Sequence, residues 1–192
     1  MTLLKTQDEA LSKFQMFHQW VKRQTKGNIK SIRFDNAREF VAGQFEAYLN
    51  GNGFEMHPTP PHTPEANGKA ERINQTLCDS ARAMLISSGL AKRWWGLAVL
   101  YAAYLHNFFP AKGQTRSPYK KVFKRTPSVE KVRTFGCVAV CLVPEANRKT
   151  WSEKAQRCTF VGIDPERSGY KVITTTGRMF VSNDVTFFEN EW

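Results

Sequence analysis

The stretch Ile29-Lys-Ser-Ile-Arg-Phe-Asp35 alternates apolar with polar side chains and ends on a carboxylate. This period of two predicts a short strand over Ile29–Phe34, with Asp35 at its carboxyl end. In open α/β sheets, ligands bind beyond the carboxyl ends of the strands. The stretch therefore predicts an α/β fold with a polar site that includes Asp35.

Helices are predicted on both sides of this strand. Upstream, Asp8–Thr25 has apolar residues at helical spacing, and Gly27-Asn28 ends the pattern. The predicted buried stripe of this helix consists of Ala10, Leu11, Phe14, Phe17, Trp20 and Val21. Downstream, Gln44–Leu49 predicts a second helix and Phe54–His57 a second short strand. Strands that alternate with helices are typical of α/β domains.

A second carboxylate lies near the start of the longest predicted helix. The prolines of Pro58–Pro64 exclude a helix or a central strand, so we expect a loop there. A helix follows, from about residues 65–67 to Ser87, and its predicted buried stripe is Ala70, Ile73, Leu77, Ala81, Met84 and Leu85. An adjacent stripe holds Glu71, Gln75, Cys78 and Arg82. Glu71 is thus expected in the first turns, on a face that can meet the end of the Asp35 strand.

The C-terminal part changes in composition and then in period. A helix over about Ala91–Phe109 is predicted to end at Pro110. Between Ala111 and Arg133 there are eight basic residues and one acid, Glu130, which favours contact with nucleic acid over a solvated linker. Five short strands then predict a small barrel or sandwich: Cys137–Val143, Cys158–Ile163, Tyr170–Thr174, Arg178–Val181 and Val185–Phe188.

The composition limits the class of protein. With 28 Lys+Arg against 17 Asp+Glu, the formal net charge is +11, which favours a polyanionic partner, although a basic but merely soluble protein has the same balance. None of the four cysteines has zinc-ligand spacing, so we expect buried or incidental thiols in a reducing compartment and no zinc. The sequence has neither a signal peptide nor an apolar stretch long enough to span a bilayer. These patterns predict a cytosolic or nuclear protein with no membrane partner.

Asp35 and Glu71 together suggest metal chemistry. They are separated by 35 residues, one at a predicted strand end and one on a predicted helix. Mg²⁺ binds carboxylates, waters and substrate phosphates in preference to a full protein cage. Two such ions can stabilise both the attacking and the leaving oxygen of a phosphodiester. The pair therefore predicts phosphoryl transfer on nucleic acid.

The motifs around these carboxylates resemble the integrase of copia-type LTR-retrotransposon Pol polyproteins, and the resemblance covers nearly the whole chain. Five stretches are similar to that family: Lys30–Phe40, which contains Phe-Asp-Asn-Ala-Arg-Glu-Phe; His62–Leu77, which contains Asn-Gly-Lys-Ala-Glu-Arg; Arg116–Tyr119; Phe135–Cys137; and Phe160–Gly162. The 35-residue spacing combined with Asn-Gly-x-x-Glu-Arg makes the resemblance specific.

The resemblance implies a partial RNase H-like α/β integrase core over residues 1–110, a basic linker over 111–134 and a small SH3-like all-β domain over 135–192. It implies a catalytic DDE triad that binds two Mg²⁺ or Mn²⁺ ions, in which Asp35 is the second member and Glu71 the third. DNA, from retroelement ends and target, is the implied partner, within a homo-oligomer. The implied DNA-binding residues are Asn67, Lys69, Arg72 and Gln75 around Glu71, and Lys120, Lys121, Lys124 and Arg125 in the basic linker.

Two departures from the family pattern shape our expectations. Ala37 and Arg38 stand where the family usually has glycines. The first aspartate of the triad belongs to an opening strand, and the one aspartate before Asp35 is Asp8, which we interpret as a helix cap. The zinc-binding His/Cys module of the family is likewise not found before the core. We therefore expect a fragment truncated at its N-terminus, inactive alone, with weak or absent metal binding.

Three alternatives for the function and origin of the chain remain open at the sequence level. The first is a truncated integrase fragment, inactive alone, for which the resemblance implies a nuclear location after a cytoplasmic particle stage. The second is a non-catalytic or domesticated nucleic-acid-binding protein that uses the same basic surface. The third is an incomplete gene record of a full DDE enzyme.

Overall fold

In this computed structural model, the described residues are 1–25, 27–34, 43–59, 68–143, 151 and 153–191. The chain divides into two compact units, Met1–Thr76 and Leu77–Trp192, each of which is described by itself. The predicted domain boundaries at residues 110 and 134 stay predictions. No helix in the described part of the chain is long and apolar enough to cross a membrane.

The first unit combines helices with a small parallel sheet. Its elements are α1 (Glu9–Thr25), β1 (Ser31–Phe34), α2 (Gln44–Gly51) and β2 (Glu55–Pro58). The strands β1 and β2 pair in parallel, with Ser31 opposite Glu55 and Phe34 opposite Pro58. Phe34, Phe45, Leu49 and Phe54 form the buried core between helices and sheet. Parallel pairing places the carboxyl ends of both strands at the same edge, as the α/β prediction requires.

The buried face of α1 differs from the prediction. Phe17 and Trp20 were expected in the core, but their side chains are 51% and 47% exposed, and their rings stack at 6.2 Å between centroids. The core-facing positions include Leu11, Phe14 and the fully buried His18. These positions recur at intervals of three and four residues, so they form one continuous buried stripe that includes His18. The prediction was wrong because it counted apolar residues alone.

His18 is buried because both of its ring nitrogens have partners. Nε2 lies 2.9 Å from Oδ1 of Asn28, an acceptor, so Nε2 carries the proton and donates it. Nδ1 then accepts from the Tyr48 hydroxyl at 2.8 Å. The ring also contacts Phe54 edge-on, with centroids 4.7 Å apart. The His18 side chain therefore joins α1, the segment that follows it and α2.

The second unit contains the remaining helices and a five-stranded antiparallel sheet. Its helical elements are α3 (Gly68–Ser88, which begins in the first unit), a 3₁₀ turn (Lys92–Trp94), α4 (Trp95–Phe108) and α5 (Pro118–Phe123). Its strands are β3 (Val138–Leu142), β4 (Ala155–Asp164), β5 (Gly169–Thr174), β6 (Met179–Ser182) and β7 (Val185–Phe188), in the order β6-β5-β4-β3-β7. All five predicted strands are present, and their boundaries differ from the predicted ones by three residues at most.

The core of the second unit lies where α4 packs on β4. Ala98, Tyr101, Phe160 and Val161 are buried there together with Phe135. The hydroxyl of Tyr101 donates to the Arg133 carbonyl at 2.6 Å and accepts from the Arg133 N–H at 3.1 Å. The chain segment that enters β3 is thereby fixed to α4 by one side chain.

The carboxylate of Glu189, which follows β7, also binds the segment before β3. Oε2 of Glu189 accepts from the backbone N–H of Thr134 at 2.8 Å and from its hydroxyl at 2.7 Å. Oε1 of Glu189 lies 3.8 Å from Nε of Arg133, whose guanidinium stands over the Phe187 ring. These contacts connect the residues after β7 with the residues before β3.

The cysteines are unpaired, and three of them are interior. Cys137, Cys141 and Cys158 are buried, whereas Cys78 is exposed on α3. Burial raises the pKa of Cys137 to about 11 and that of Cys141 to about 12, which keeps both thiols protonated and unreactive near neutral pH. These three behave as small core residues, in agreement with the prediction of buried thiols.

We expect the free energy of unfolding to fall as the pH rises from about 10 to about 12. Burial raises the pKa of Tyr101 from 10.0 to about 12. The hydrogen bond from the Arg133 N–H stabilises the phenolate and lowers the pKa, but this effect is smaller than that of burial. The unfolded phenol ionises first, so the unfolded state binds fewer protons in this window and stability declines. Two pKa units correspond to at most ~2.7 kcal/mol. Urea unfolding of the wild type and Tyr101→Phe measures this, and the variant should show a shallower decline. Equal pH dependence in both proteins would contradict the assignment.

Candidate metal site and nucleic-acid interface

Glu71 lies where the sequence predicted it, in the first turn of α3. Its side chain is exposed, and among the described residues none forms an ion pair or hydrogen bond with its carboxylate. The N-terminal end of a helix favours negative charge, because unpaired backbone N–H groups point outward there. The Glu71 carboxylate is therefore available to a cation or a solvent molecule.

The other members of the predicted site divide into two groups. Asp35 and Asn67 lie outside the described residues. The strand β1 ends at Phe34, the residue directly before Asp35. Lys69, Arg72 and Gln75 are described and exposed on the first turns of α3. The approach of Asp35 to Glu71 stays a prediction.

Cationic side chains flank Glu71 on both sides in sequence. Nη1 of Arg72 lies 3.4 Å from the position that a Cβ on Gly68 would occupy, so the guanidinium folds back over the start of the helix. Lys69 is exposed within the same turn. The carboxylate of Glu71 is a possible metal ligand, whereas the two cations suit the phosphates of a nucleic acid.

The first two turns of α3 are more exposed than predicted. Ala70 and Ile73 were expected in the buried stripe, but Ala70 is exposed and Ile73 is 37% exposed. The buried residues of the helix are Leu77 and Ala81, which lie in the second unit. The predicted stripe is therefore correct for the C-terminal half of the helix and wrong for its start.

The donor chemistry fits a divalent cation in part. Within the described ranges, no group of three or more His, Cys, Asp or Glu side chains is arranged to hold a metal ion. Glu71 supplies one carboxylate of the type that Mg²⁺ and Mn²⁺ bind. It is thus a fitting single ligand that requires further oxygen donors.

The predicted DNA-binding residues of the basic segment lie together on α5 and just after it. Lys120, Lys121, Lys124 and Arg125 are all exposed. Lys124 ends the helix in the left-handed conformation, with φ of 59°. The whole stretch from residue 80 to residue 129 contains nine Lys or Arg residues and no Asp or Glu. This surface therefore has a positive potential with no acidic side chain nearby in sequence.

The helix α5 itself was not predicted. Its N-cap is Ser117, whose hydroxyl accepts from the N–H of Lys120 at 3.2 Å, and Pro118 occupies the first turn. Ser followed by Pro is a helix-start signal that the charge pattern concealed. The helix fixes the spacing of Lys120 and Lys121.

Aromatic rings attach α5 to the end of α4. Ring centroids lie 4.5 Å apart for Tyr104 and Phe108, 5.8 Å for Phe108 and Tyr119, and 4.6 Å for Tyr119 and Phe123. The Arg125 guanidinium stands 5.9 Å over the Tyr119 ring, and its Nε donates to the Tyr119 hydroxyl at 3.1 Å. These aromatic residues were not predicted as part of the basic surface, although their alternation with lysines in the sequence is typical of a nucleic-acid-binding surface.

Comparison with known proteins identifies the class of protein. Residues 137–192 match the family model of the retroviral polymerase SH3-like domain. Over 94% of this chain and 66% of the other, the fold is similar to a chain of the simian T-cell lymphotropic virus intasome, solved in complex with PP2A regulatory subunit B56 gamma, with a TM-score of 0.51 at 15% identity. The fold is therefore that of a retroviral-type integrase, an α/β core followed by a small SH3-like all-β domain, as predicted.

The sequence relatives are Pol polyproteins of plant transposons. The chain is 35% identical over 191 residues to the retrovirus-related Pol polyprotein from transposon TNT 1-94 of Nicotiana tabacum, and 31% identical over 188 residues to that from transposon RE2 of Arabidopsis thaliana. These alignments cover 98% and 97% of this chain but 14% and 13% of the relatives. Over nearly its whole length the chain is therefore similar to one segment of retrotransposon Pol polyproteins, and this segment has the integrase-like fold described above. It spans about one seventh of the length of those relatives.

Proposed function

We propose that this chain is part of a copia-type integrase that inserts DNA by metal-dependent phosphoryl transfer. The observation that carries the proposal is the exposed Glu71 carboxylate in the first turn of α3, with Lys69 and Arg72 beside it. A carboxylate at this position can bind a metal ion, while its cationic neighbours can bind the phosphates of the substrate. Asp35, which follows β1 directly, is proposed as the second ligand.

Each residue has a proposed role. Asp35 and Glu71 hold Mg²⁺ or Mn²⁺, which when bound lowers the pKa of the attacking hydroxyl and neutralises charge that develops at phosphorus. Lys69 and Arg72 bind phosphate oxygens, and Asn67 and Gln75 donate to phosphates or bases. Arg72 suits phosphate because its planar guanidinium can donate two parallel hydrogen bonds.

The basic surface of α5 is proposed to bind DNA, from the element ends or the target. Lys120, Lys121, Lys124 and Arg125 are exposed, and no acidic residue occurs from 80 to 129 to compete with phosphate. Neutralising phosphates releases counterions, and that release drives binding at low salt. A homo-oligomer in the nucleus, reached from a cytoplasmic particle, is the proposed working form.

The 192-residue segment by itself is proposed to be inactive in strand transfer. Two carboxylates, Asp35 and Glu71, leave most of the coordination sphere of a divalent cation to water. Such a site holds the ion weakly and positions it loosely, and phosphoryl transfer depends on that positioning.

Replacing Glu71 tests the proposal directly. We expect Glu71→Gln to weaken Mn²⁺ binding by tenfold or more, about 1.4 kcal/mol, because an amide is a poorer ligand than a carboxylate. Isothermal titration with Mn²⁺ measures this. The matched control is Glu166→Gln, which makes the same charge change at an exposed residue of the β4–β5 turn and should bind Mn²⁺ like the wild type. Equal affinity in all three proteins would refute the role of Glu71.

A strand-transfer assay on the same three proteins tests the proposed inactivity. We expect no product from the wild-type segment in Mg²⁺ or Mn²⁺. Product that forms with the wild type and Glu166→Gln but disappears with Glu71→Gln would overturn the inactivity and support the catalytic role of Glu71.

A second function, nucleic-acid binding without catalysis, is favoured by a different observation. The α5 surface is basic irrespective of any metal ligand, so it can bind a polyanion when Glu71 is replaced. DNA binding that Glu71→Gln leaves intact, combined with no strand transfer by any longer form of the protein, would distinguish this function from integration.

A further inference from the structure

The corner between α4 and α5 combines dense positive charge with aromatic rings. Residues 109–125 contain six Lys or Arg residues and no acid. Of these, Lys120 and Lys121 lie on α5, and Lys124 ends it. Lys121 donates to the Oε1 of Gln114, so one of the cations is held against the loop that joins the two helices. The phosphate-binding side chains therefore extend from a locally ordered corner.

An exposed aromatic ring lies at the same corner. Phe109 directly follows α4 and is 54% exposed. Its neighbour Phe108 packs edge-on against Tyr119 of α5, with centroids 5.8 Å apart. The backbone at Phe109 is therefore held close to α5, while its ring faces solvent. A single exposed phenylalanine is common on protein surfaces, but Phe109 belongs to a segment, residues 109–125, that contains six cations and no acid.

Tyr119 and Arg125 add a second aromatic ring and a planar cation to the corner between α4 and α5. The Arg125 guanidinium stands over this ring and its Nε donates to the ring hydroxyl, so both groups have a fixed orientation. Planar guanidinium and aromatic groups are the surfaces on which nucleic-acid bases stack. Phe109, Tyr119 and Arg125 thus bring stacking groups to a surface that already has phosphate-binding cations.

Duplex DNA has few exposed base faces that could stack on the aromatic rings of this surface. Within a duplex each base is stacked on its neighbours, so its faces are hidden and an exposed phenyl ring can reach only a terminal pair. Unpaired bases expose their faces, and every base can stack on an aromatic ring irrespective of sequence.

We infer that the α4–α5 corner binds unpaired nucleotides. One base stacks on Phe109, and Lys120, Lys121 and Lys124 bind the adjoining phosphates. The inference rests on the proposed DNA binding by this surface and assigns it a substrate class, single-stranded rather than fully paired DNA.

Fluorescence polarisation with two labelled probes of equal length tests the inference. One probe is single-stranded oligo(dT), and the other is a blunt duplex. We expect Phe109→Leu, which keeps an apolar side chain but removes the aromatic face, to weaken binding of the single strand at least fivefold, the lower end for loss of one base–aromatic stack. Duplex affinity should change less than about twofold, since phosphate contacts dominate there.

Two controls accompany this variant. Phe188→Leu removes an aromatic ring that is 42% exposed on β7, next to Glu189 instead of lysines, and should leave both affinities unchanged. Lys120→Gln combined with Lys124→Gln should weaken binding of both probes. It should also reduce the slope of log affinity against log salt by about 1.8 for the duplex and about 1.4 for the single strand.

The outcomes separate the two proposals. If the lysine variant weakens both probes but Phe109→Leu weakens neither, DNA binding stands and the stacking inference is overturned. If neither probe binds the wild type, the proposed DNA binding fails as well. Photo-crosslinking with 5-iodouracil in the single strand gives an independent readout, and a crosslink that maps to Phe109 supports the inference, whereas crosslinks that avoid residues 109–125 contradict it.

Discussion

Gly136→Ala is expected to destabilise the five-stranded sheet by about 2–5 kcal/mol. A Cβ at residue 136 would lie 2.1 Å from the Cβ of Ser88, and the backbone φ of 86° is a conformation that side chains rarely adopt. The conformational strain costs about 1–2 kcal/mol, and forcing an extra carbon into a packed site costs about 1–3 kcal/mol. This is a large part of the ~5–15 kcal/mol that stabilises a typical domain. Hydrogen exchange of peptides from β3 to β5 measures the loss.

Variants at Ser88 distinguish the steric overlap with the new methyl group from the backbone strain at residue 136. Ser88→Gly removes the carbon that the new methyl group would meet, so combining it with Gly136→Ala should recover part of the loss. Ser88→Ala keeps that carbon and should recover nothing. Gly113→Ala is the control for strain alone, because its φ is 76° with open space around the added carbon, and it should cost about 1–2 kcal/mol. Equal effects of Gly136→Ala and Gly113→Ala would contradict the proposed overlap.

His18→Ala is expected to destabilise the first unit by about 3–5 kcal/mol. The substitution leaves a cavity beside Phe54 and removes the partners of the Tyr48 hydroxyl and of Asn28 Oδ1. Losing a buried ring and stranding polar groups both contribute. Hydrogen exchange of peptides from α1 and α2 measures the effect. His57→Ala is the control, since the His57 side chain is 52% exposed, and it should cost less than about 0.5 kcal/mol.

A double-mutant cycle tests whether the Tyr48 hydroxyl acts through His18. Tyr48→Phe alone should cost about 1–2 kcal/mol, because Nδ1 of the imidazole loses its donor. In the His18→Ala background the same change should cost about 1 kcal/mol less. Additive effects would show that the hydrogen bond contributes no coupling.

Elements with a strong local pattern could be predicted from the sequence. The strand Val185–Phe188 has the predicted boundaries, and β1 ends at Phe34 as expected, because alternation and flanking turns suffice to define a half-buried strand. The face of α1 could not be predicted in the same way. Burial of His18 depends on Tyr48 and Asn28, which come together only in the folded chain. The short α5 was missed because a basic run hid its Ser117-Pro118 start.

The candidate site was predictable in part for similar reasons. Glu71 lies in the first turn of α3, as the helical pattern and the preceding prolines indicated. The exposure of Ile73 was not predictable. Helical periodicity shows which residues share a face of the helix, but it does not show whether another element packs against that face. Phe109 was predicted as the last residue of a helix, whereas the helix α4 ends one residue earlier, at Phe108. The exposure of the Phe109 ring could not be predicted from the helical pattern.

The pairing of β3 with β7 has a consequence for synthesis of the protein. Val138 lies opposite Phe188, so the first strand of the sheet meets the last across 50 residues of chain. While a ribosome is still translating β4 to β6, one edge of β3 has no neighbour, and a bare strand edge can pair with another nascent chain. This edge stays bare from the time β3 leaves the ribosome until β7 has left it, and slower elongation in this interval should lower the soluble yield.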